Sequence, residues 1–450
     1  MAAEAGAGAK SGRLDLGRSR TAALRFIRGQ GIKRMGWGVA DQAVSSLTNF
    51  AVALYVAREL GATQFGAFSL AYVTYSFALN ASRGLATDPL MVRFSGKDTA
   101  TWRRAIGGCT GTALIVGLIT ALGVLAVVPF LGGTSADAFL ALGLTLPGLL
   151  LQDSWRYAFF AHGKGSQAFL NDVVWAVLLF PALYLLSKTG HQTVFWFVLA
   201  WGASACAAAV LGPLQARVIP RPERAWRWLR EHRDLGFRYF AENSASSVSG
   251  QLRVYGITAI AGLATVGVVQ ASSTLMGPFM VIFYGMSLVL VPEAARVLER
   301  NPQHLRRFCV LVSVGLTVLA VGWGLVLLVG LPRGLGNLLL GQLWHKTYPL
   351  VIPQTIFIVG ACVSGGVAAG LHALGAAKRS LKAMVLLSVV YTGGALVGVA
   401  VDGAAGSVIG AAVGAWIGAL LWWWQLHRAL HEAGHLRRGR HRQATASVRR

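Results

Sequence analysis

The sequence predicts an all-α polytopic membrane protein, with about 12 transmembrane helices in two six-helix repeats around a central cavity. Three observations support this fold class. Hydrophobic residues form 55% of the 450 residues, and charged residues form only 13%. Apolar stretches repeatedly exceed the roughly 20 residues that a helix needs to cross a hydrocarbon core. A polar pattern near the start of the chain also returns, in the same order, near its middle.

The predicted spans divide the chain into five regions. The spans are residues 37–57, 65–86, 106–131, 138–160, 168–187, 193–216, 239–262, 267–291, 308–331, 349–371, 380–401 and 404–425. The regions are a basic N-terminal tail (1–36), a first six-helix bundle (37–216), an amphipathic linker (217–238), a second six-helix bundle (239–425) and a basic C-terminal tail (426–450). We expect no signal peptide, because Asp41, Gln42 and Asn49 interrupt the apolar core that such a peptide requires.

The placement of charge predicts orientation. The formal net charge is +24, and the lysines and arginines gather in both tails, in the linker and in every second loop. The intervening loops 132–137, 263–266 and 402–403 contain neither residue type. This bias predicts that both termini of the multi-pass protein are cytoplasmic. It also argues against nucleic acid as a partner, an alternative that stays open for the tails alone.

The linker is predicted to form an amphipathic helix on the inner leaflet. Trp226, Leu229, Phe237 and Phe240 alternate there with arginines. Its expected role is to anchor the chain and to contribute to the charge bias, with substrate contact as the alternative.

The two bundles are predicted to be parallel repeats. Residues 41–46 read DQAVSS and residues 242–247 read ENSASS, an offset of 242 − 41 = 201. The same offset pairs Gly61 with Gly262 and Gly66 with Gly267, whereas Pro89 and Arg93 return as Pro292 and Arg296 at an offset of 203. Parallel repeats about an axis along the membrane normal are a recurrent plan of transporters.

Polar side chains recur at helical spacing inside the first, second and seventh spans. Because a charge at mid-bilayer costs at least ~2.5 kcal/mol, we expect these faces to line a wet cavity between the halves. The candidate substrate-binding residues are Arg253, Arg156, Arg83, Asn80 and Asn49, and the candidate ion-coupling residues are Asp41, Asp172 and Glu242.

Arg253 is the leading candidate, because it lies about fourteen residues, or ~21 Å, into the seventh span. Its counterpart in the first repeat is Val52, so repeat symmetry does not account for it.

Structural explanations remain open for each of these charges. Arg253 would pair with Glu242 or with a backbone carbonyl for packing alone, and Asp153 with Arg156 at i,i+3 would form an intrahelical pair. Arg83 would snorkel to the membrane surface. Asp41 is only ~6 Å inside its span, where an acid also suits the helix dipole.

Enzyme motifs are missing from the sequence. It has no GxxxxGK[ST] phosphate loop, no HExxH and no metal-ligand cluster, so we expect no catalytic residues, no metal and no cofactor. The four cysteines lie in predicted spans, where they serve as small apolar residues. A membrane glycan polymerase or ligase is disfavoured, because the longest external loop, 332–348, contains no Asp or Glu.

The segment NFAVALYVARELGATQFGAFSLAYV, residues 49–73, carries a family resemblance. Its A-R-x-L-G followed by F-G resembles the start of the polysaccharide and lipid-linked oligosaccharide flippases (Wzx-like) of the multidrug/oligosaccharidyl-lipid/polysaccharide (MOP) exporter superfamily. The resemblance implies a cavity that opens in turn to each side and carries an isoprenoid-pyrophosphate-linked saccharide outward. It supplies no site residues. Drug antiporters of this superfamily often have a carboxylate in the first span, so Asp41 keeps that alternative open.

The sequence therefore predicts a flippase for a lipid-linked, anionic saccharide used in cell-envelope polysaccharide biosynthesis. The alternative is a cation-coupled multidrug exporter of the same superfamily. The expected partners are the lipid-linked saccharide, membrane lipids and a polysaccharide polymerase, and we expect the chain to be monomeric.

Overall fold

The computed structural model describes residues 8–300 and 302–447. It describes side chains within 36–432, apart from 39, 245–247, 287–289, 301–303, 377–378 and 431. The helices are α1 (Gly8–Ser82), α2 (Asp88–Phe94), α3 (Thr99–Val127), α4 (Gly133–Ala161), α5 (Gly165–Lys188), α6 (Val194–Ala216), α7 (Ala225–Glu231), α8 (Arg233–Leu275), α9 (Gly277–Arg300), α10 (Pro302–Gly330), α11 (Gly336–Leu340), α12 (Trp344–Thr347), α13 (Val351–Ala373) and α14 (Ala377–Ser447). The described part contains no strand, which confirms the predicted all-α class.

Eight segments of the described chain are long and apolar enough to cross a membrane. They are Thr99–Phe130, Gly133–Ala161, Gly165–Lys188, Val194–Ala216, Val248–Leu275, Gly277–Arg300, His304–Ala373 and Arg379–Leu430. The last two measure 70 and 52 residues, so each is longer than the roughly 20 residues of one crossing.

Three long helices contain a break where the sequence predicts a loop between two spans. α1 breaks at Gly61 (φ 71°), α8 at Gly262 (φ 79°) and α14 at Asp402 and Gly403 (φ −141° and 50°). Glycine adopts positive φ at little cost, so each glycine reverses the chain where another residue would be strained. Each break divides one long helix into two helical segments.

The helix ends differ from the predicted region boundaries. α1 begins at Gly8, inside the predicted N-terminal tail, and α14 continues to Ser447, through the predicted C-terminal tail. The predicted linker contributes a 3-10 turn (Pro222–Arg224) and α7, but its last six residues already belong to α8.

We refer to α1–α6 and α8–α14 as the first and second halves of the chain. We call the end of the bundle that carries the linker the basic end. A central apolar core runs through both halves, and each half has a smaller core near the basic end. The first of these contains Trp102, Trp155 and Phe159, and the second contains Leu371 and Trp422.

At the opposite end the two halves touch backbone to backbone. A Cβ atom on Gly66 would overlap the carbonyl of Leu263, and a Cβ on Gly267 would overlap the carbonyl of Ala62. The two glycines occupy equivalent positions of the two predicted repeats, at the sequence offset of 201. This glycine crossing closes the space between the halves at that end.

One seam between the halves is tied by polar contacts below the crossing. The hydroxyls of Thr74 and Tyr255 lie 2.5 Å apart, and Asn243 Nδ2 donates to Asp88 Oδ2 at 2.8 Å. Nearer the basic end, Gly84 lies against the backbone of Phe240, too close for a Cβ atom.

The linker is fixed to the end of this tied seam. Arg93 donates to Nδ1 of His232 at 2.7 Å and to Asp234 at 2.5 Å. Burial, reinforced by the nearby Arg93 guanidinium, lowers the pKa of His232. A lowered pKa favours the neutral ring, whose unprotonated Nδ1 can accept this hydrogen bond from the guanidinium.

Candidate functional site

A cleft between the halves lies on the basic side of the glycine crossing. It has a volume of about 250 Å³ and lies between α1, α6, α8 and α9. Its walls carry aromatic rings and a few amides and hydroxyls: Phe50, Phe65, Phe68, Tyr72 and Trp201, with Ser46, Asn49, Ser69, Gln270 and Thr274. An apolar cavity with a few polar groups is typical of a small-molecule site.

The cleft borders the seam between α1 and α9. At that seam the ring of Phe50 lies against Gly277, while Val281 lines the cleft and is 54% exposed. Leu47, on the same part of α1 as Ser46, is 67% exposed. Apolar side chains therefore form the border between the cleft and the surface that faces lipid.

A second group of polar side chains lies inside the first half. Arg156 of α4 reaches Asp41 Oδ2 through Nε and Nη2 at 2.6 and 2.5 Å, and its Nε lies 3.3 Å from Asp172 Oδ2. Asp41 is fully buried, Asp172 is 2% exposed, and the side chain of Arg156 is 11% exposed. One guanidinium thus bridges carboxylates from α1 and α5.

This acid cluster of Asp41, Arg156 and Asp172 carries one more carboxylate than guanidinium. Gln152 donates to Asp172 Oδ1 at 2.8 Å, but Asp41 Oδ1 and Asp172 Oδ2 are buried without a hydrogen-bond partner. A buried, unbalanced negative charge is costly unless a proton or a cation neutralises it. The arrangement is therefore chemically suited to take up a small cation.

Arg83 and Asp153 form a separate pair beside this cluster. Arg83 donates from Nε and Nη2 to the two carboxylate oxygens of Asp153, at 2.9 and 2.7 Å, and lies over the ring of Tyr157. The intrahelical pair of Asp153 with Arg156 is not formed, because each residue has a closer partner on another helix. Arg83 opens the π-helical turn Arg83–Thr87, and such turns are frequent at functional sites.

The predicted site residues do not share one cavity. Asn49 lines the cleft, but Arg253 is not among the residues that line it. Asp41, Asp172 and Arg156 turn into the first half rather than toward the space between the halves. The reason is that α4 and α5 supply partners that the sequence pattern of α1 alone does not reveal.

Asn80 and Glu242 lie toward the basic end. The Asn80 carbonyl accepts a hydrogen bond from Asn243 at 3.5 Å, and Glu242 is exposed. The expected pair of Arg253 with Glu242 is also absent from the described ion pairs.

Arg253 lies inside the second half, between α8 and α14. Its guanidinium lies 5.3 Å from the ring centroid of Tyr391, and its Nε is buried without a hydrogen-bond partner. No described carboxylate approaches it within 4.0 Å. Arg253 is therefore a half-buried guanidinium in a membrane helix that keeps its capacity to bind an anion.

Sequence reasoning missed three residues of these groups. They are Gln152, Asn171 and Tyr391. The side chain of Gln152 donates to Asn171 and to the predicted residue Asp172, and Tyr391 supplies the ring beneath Arg253. A signal was present for the first two, because adjacent polar pairs occur in apolar spans at 152–153 and 171–172. Tyr391 has no such signal.

No protein-family model and no curated protein sequence matches the chain, but solved structures do. An inward-facing MATE family multidrug resistance transporter of the MOP superfamily is 15% identical, with a TM-score of 0.67 over 88% of this chain and 99% of that one. Lipid II flippase MurJ, in an inward closed conformation, is 10% identical, with a TM-score of 0.64 over 88% and 89%. A MOP superfamily transporter from Pyrococcus furiosus is 16% identical, with a TM-score of 0.54 over 87% and 93%. The chain therefore has the fold of the MOP superfamily transporters.

Proposed function

We propose that the protein is an alternating-access transporter that moves an isoprenoid-pyrophosphate-linked saccharide across the bacterial plasma membrane. Its product would serve cell-envelope polysaccharide biosynthesis. The observation that carries the proposal is the unpaired guanidinium of Arg253, because a fixed positive charge within a membrane span favours an anionic substrate over a cationic one.

Of the three arginines predicted to bind pyrophosphate, Arg253 alone is not paired with a described carboxylate. Arg83 and Arg156 are each neutralised inside the first half. Arg253 precedes the break at Gly262 by nine residues, or about 14 Å along the helix, which places it deep within the span. A planar guanidinium can bind two phosphate oxygens at once, and the cation–π contact with Tyr391 holds it in place.

The cleft supports the transport cycle of this proposal. It is closed at one end by the glycine crossing and bordered at the seam of α1 and α9 by exposed apolar residues. A lipid-linked head group could enter between the halves there while its isoprenoid tail stays in the hydrocarbon region. Rocking of the halves about the crossing would then expose the head group to the other side.

The second candidate is a cation-coupled multidrug exporter. The acid cluster favours it, because the surplus buried carboxylate suits a proton or Na⁺ as coupling ion. The named neighbours include both a multidrug transporter and a lipid II flippase, so their fold is compatible with either substrate class.

Reconstituted liposomes test the proposal. We expect the wild type to flip a lipid-linked saccharide, Arg253→Gln to lose about 10- to 100-fold in rate, and Arg253→Lys to keep part of the activity, because charge-assisted bonds to phosphate are lost or weakened. Arg333→Gln is the matched control, since Arg333 lies in the turn Leu331–Leu335, at the end of the bundle opposite the basic end. Drug export without lipid flipping, or an Arg253→Gln variant as fast as wild type, would refute the proposal.

We also propose that both termini are cytoplasmic, as the charge bias predicts. In a background without the four native cysteines, Arg440→Cys should resist an impermeant thiol reagent added to intact cells. Asp402→Cys, at the exposed break of α14, should react. The reverse labelling pattern would contradict the orientation.

A further inference from the structure

A concave surface lies at the basic end, apart from the cleft and the acid cluster. The turn Pro222–Arg224 and α7 fold against the start of α3 and leave a groove of about 320 Å³, which we call the linker groove. Its lining includes Phe94, Thr101, Arg104, Arg224, Arg227 and Trp228. A neighbouring concavity of about 800 Å³ shares Arg104 and is lined by Arg103, Arg217 and Arg221.

Glycines of α3 allow the linker to approach this closely. The backbone N–H of Arg221 donates to the Gly107 carbonyl at 2.9 Å, and a Cβ atom on Gly111 would overlap the backbone of Arg221. The ring of Trp228 covers Gly108 and donates to the Leu85 carbonyl at 3.3 Å. The backbone that carries the arginines is therefore held in place before any ligand binds.

The two concavities concentrate unpaired positive charge. None of their six arginines, Arg103, Arg104, Arg217, Arg221, Arg224 and Arg227, is in a described ion pair. The acids that line them are Glu223 and Glu231, both exposed. Guanidinium groups in this number match phosphate oxygens, which they bind bidentately.

Exposed apolar side chains flank the same surface. Trp226 is 75% exposed, Ile219 is 74% exposed and Leu214 is 70% exposed. Tryptophan is enriched where a membrane helix meets the head groups, because its ring is amphipathic. Basic and apolar groups together favour a lipid at the membrane surface over a soluble anion, which would gain nothing from the apolar side chains.

We propose that the linker groove binds the head group of an anionic phospholipid, with its phosphate on Arg224 and Arg227 and its acyl chains beside Trp226. The site is independent of the transported substrate. It would hold the segment that joins the two halves against the membrane surface.

The test uses native mass spectrometry to measure the binding of phosphatidylglycerol to the delipidated full-length chain. Arg224→Gln/Arg227→Gln should weaken binding about 30-fold, since each juxtamembrane arginine contributes about 1 kcal/mol. The matched control is Arg230→Gln/Arg233→Gln, which removes the same charge from exposed linker residues outside the groove and should change binding less than about threefold. Arg104→Gln tests the α3 wall separately.

The variants should keep the wild-type melting temperature, because their arginines form no described ion pair. Equal losses in both double variants would mean diffuse charge attraction and would overturn the proposal. Phosphatidylcholine binding as tightly as phosphatidylglycerol would mean apolar adhesion, and equal binding of glycerol phosphate would mean a free-phosphate site. Either result would also overturn it.

Discussion

Replacing Gly66 by valine is expected to open the end of the protein opposite the basic end and to abolish the proposed alternating access. The Cβ atom would overlap the Leu263 carbonyl, which belongs to a helix backbone and cannot rotate away. The two halves must then separate at their crossing. Overpacking of this kind costs about 1–3 kcal/mol, enough to shift a two-state equilibrium by about 5- to 150-fold.

The measurement is the accessibility of a cysteine inside the cleft, so that it does not depend on the identity of the substrate. In a background without native cysteines, Gln270→Cys should be protected from an impermeant reagent applied at the end opposite the basic end. Adding Gly66→Val should make it reactive from that side. Gly250→Ala is the control, because a Cβ atom there meets nothing within 4 Å. Protection that survives Gly66→Val would contradict a tight glycine crossing.

Sequence reasoning could predict the features of the fold that depend on local chemistry. Gly61 and Gly262 recur at a fixed offset because each reverses a long helix at positive φ, and Gly66 and Gly267 recur because each meets the other helix backbone. Each requirement applies to a single backbone position and only glycine meets it. Glycine therefore stands at the equivalent position of both predicted repeats.

The pairing of charges could not be predicted in the same way. Arg156 lies three residues after Asp153 on the same helix, yet it bonds to Asp41 and leaves Asp153 to Arg83. The i,i+3 spacing permits the intrahelical pair, and only the packing of α1 and α5 against α4 brings Arg156 closer to partners on other helices. The same is true of Arg253, whose partner Tyr391 is an ordinary aromatic residue in an apolar helix.

In the proposed transport cycle, the two polar groups would have separate roles in the two halves. The first half holds a surplus negative charge away from the cleft, and the second half holds an unpaired positive charge. A cation in the acid cluster would change how α1, α4 and α5 pack, while a substrate phosphate would engage α8. Because α1 and α8 meet at the glycine crossing, the occupancy of one half can bias the other through that contact.

Asp172→Asn is expected to abolish the cation dependence of transport while leaving the protein folded. Asp41 keeps both short bonds to Arg156, so the variant retains one carboxylate for one guanidinium and loses only the surplus charge. Arg156→Gln should instead destabilise the fold, because it leaves two buried carboxylates without a guanidinium. We expect it to lower the free energy of unfolding by about 3–5 kcal/mol.

Two readouts separate coupling from packing at the acid cluster. In detergent, the wild type and Asp172→Asn should have the highest and nearly equal melting temperatures. Asp41→Asn should melt at a lower temperature, since Asp41 makes the shorter contacts with the guanidinium, and Arg156→Gln should melt at the lowest. Transport should be measured with imposed proton and Na⁺ gradients. If Asp172→Asn destabilises the protein as much as Arg156→Gln does, the carboxylate is needed for packing. If its transport still follows the imposed gradient, the surplus charge is not where the coupling ion binds.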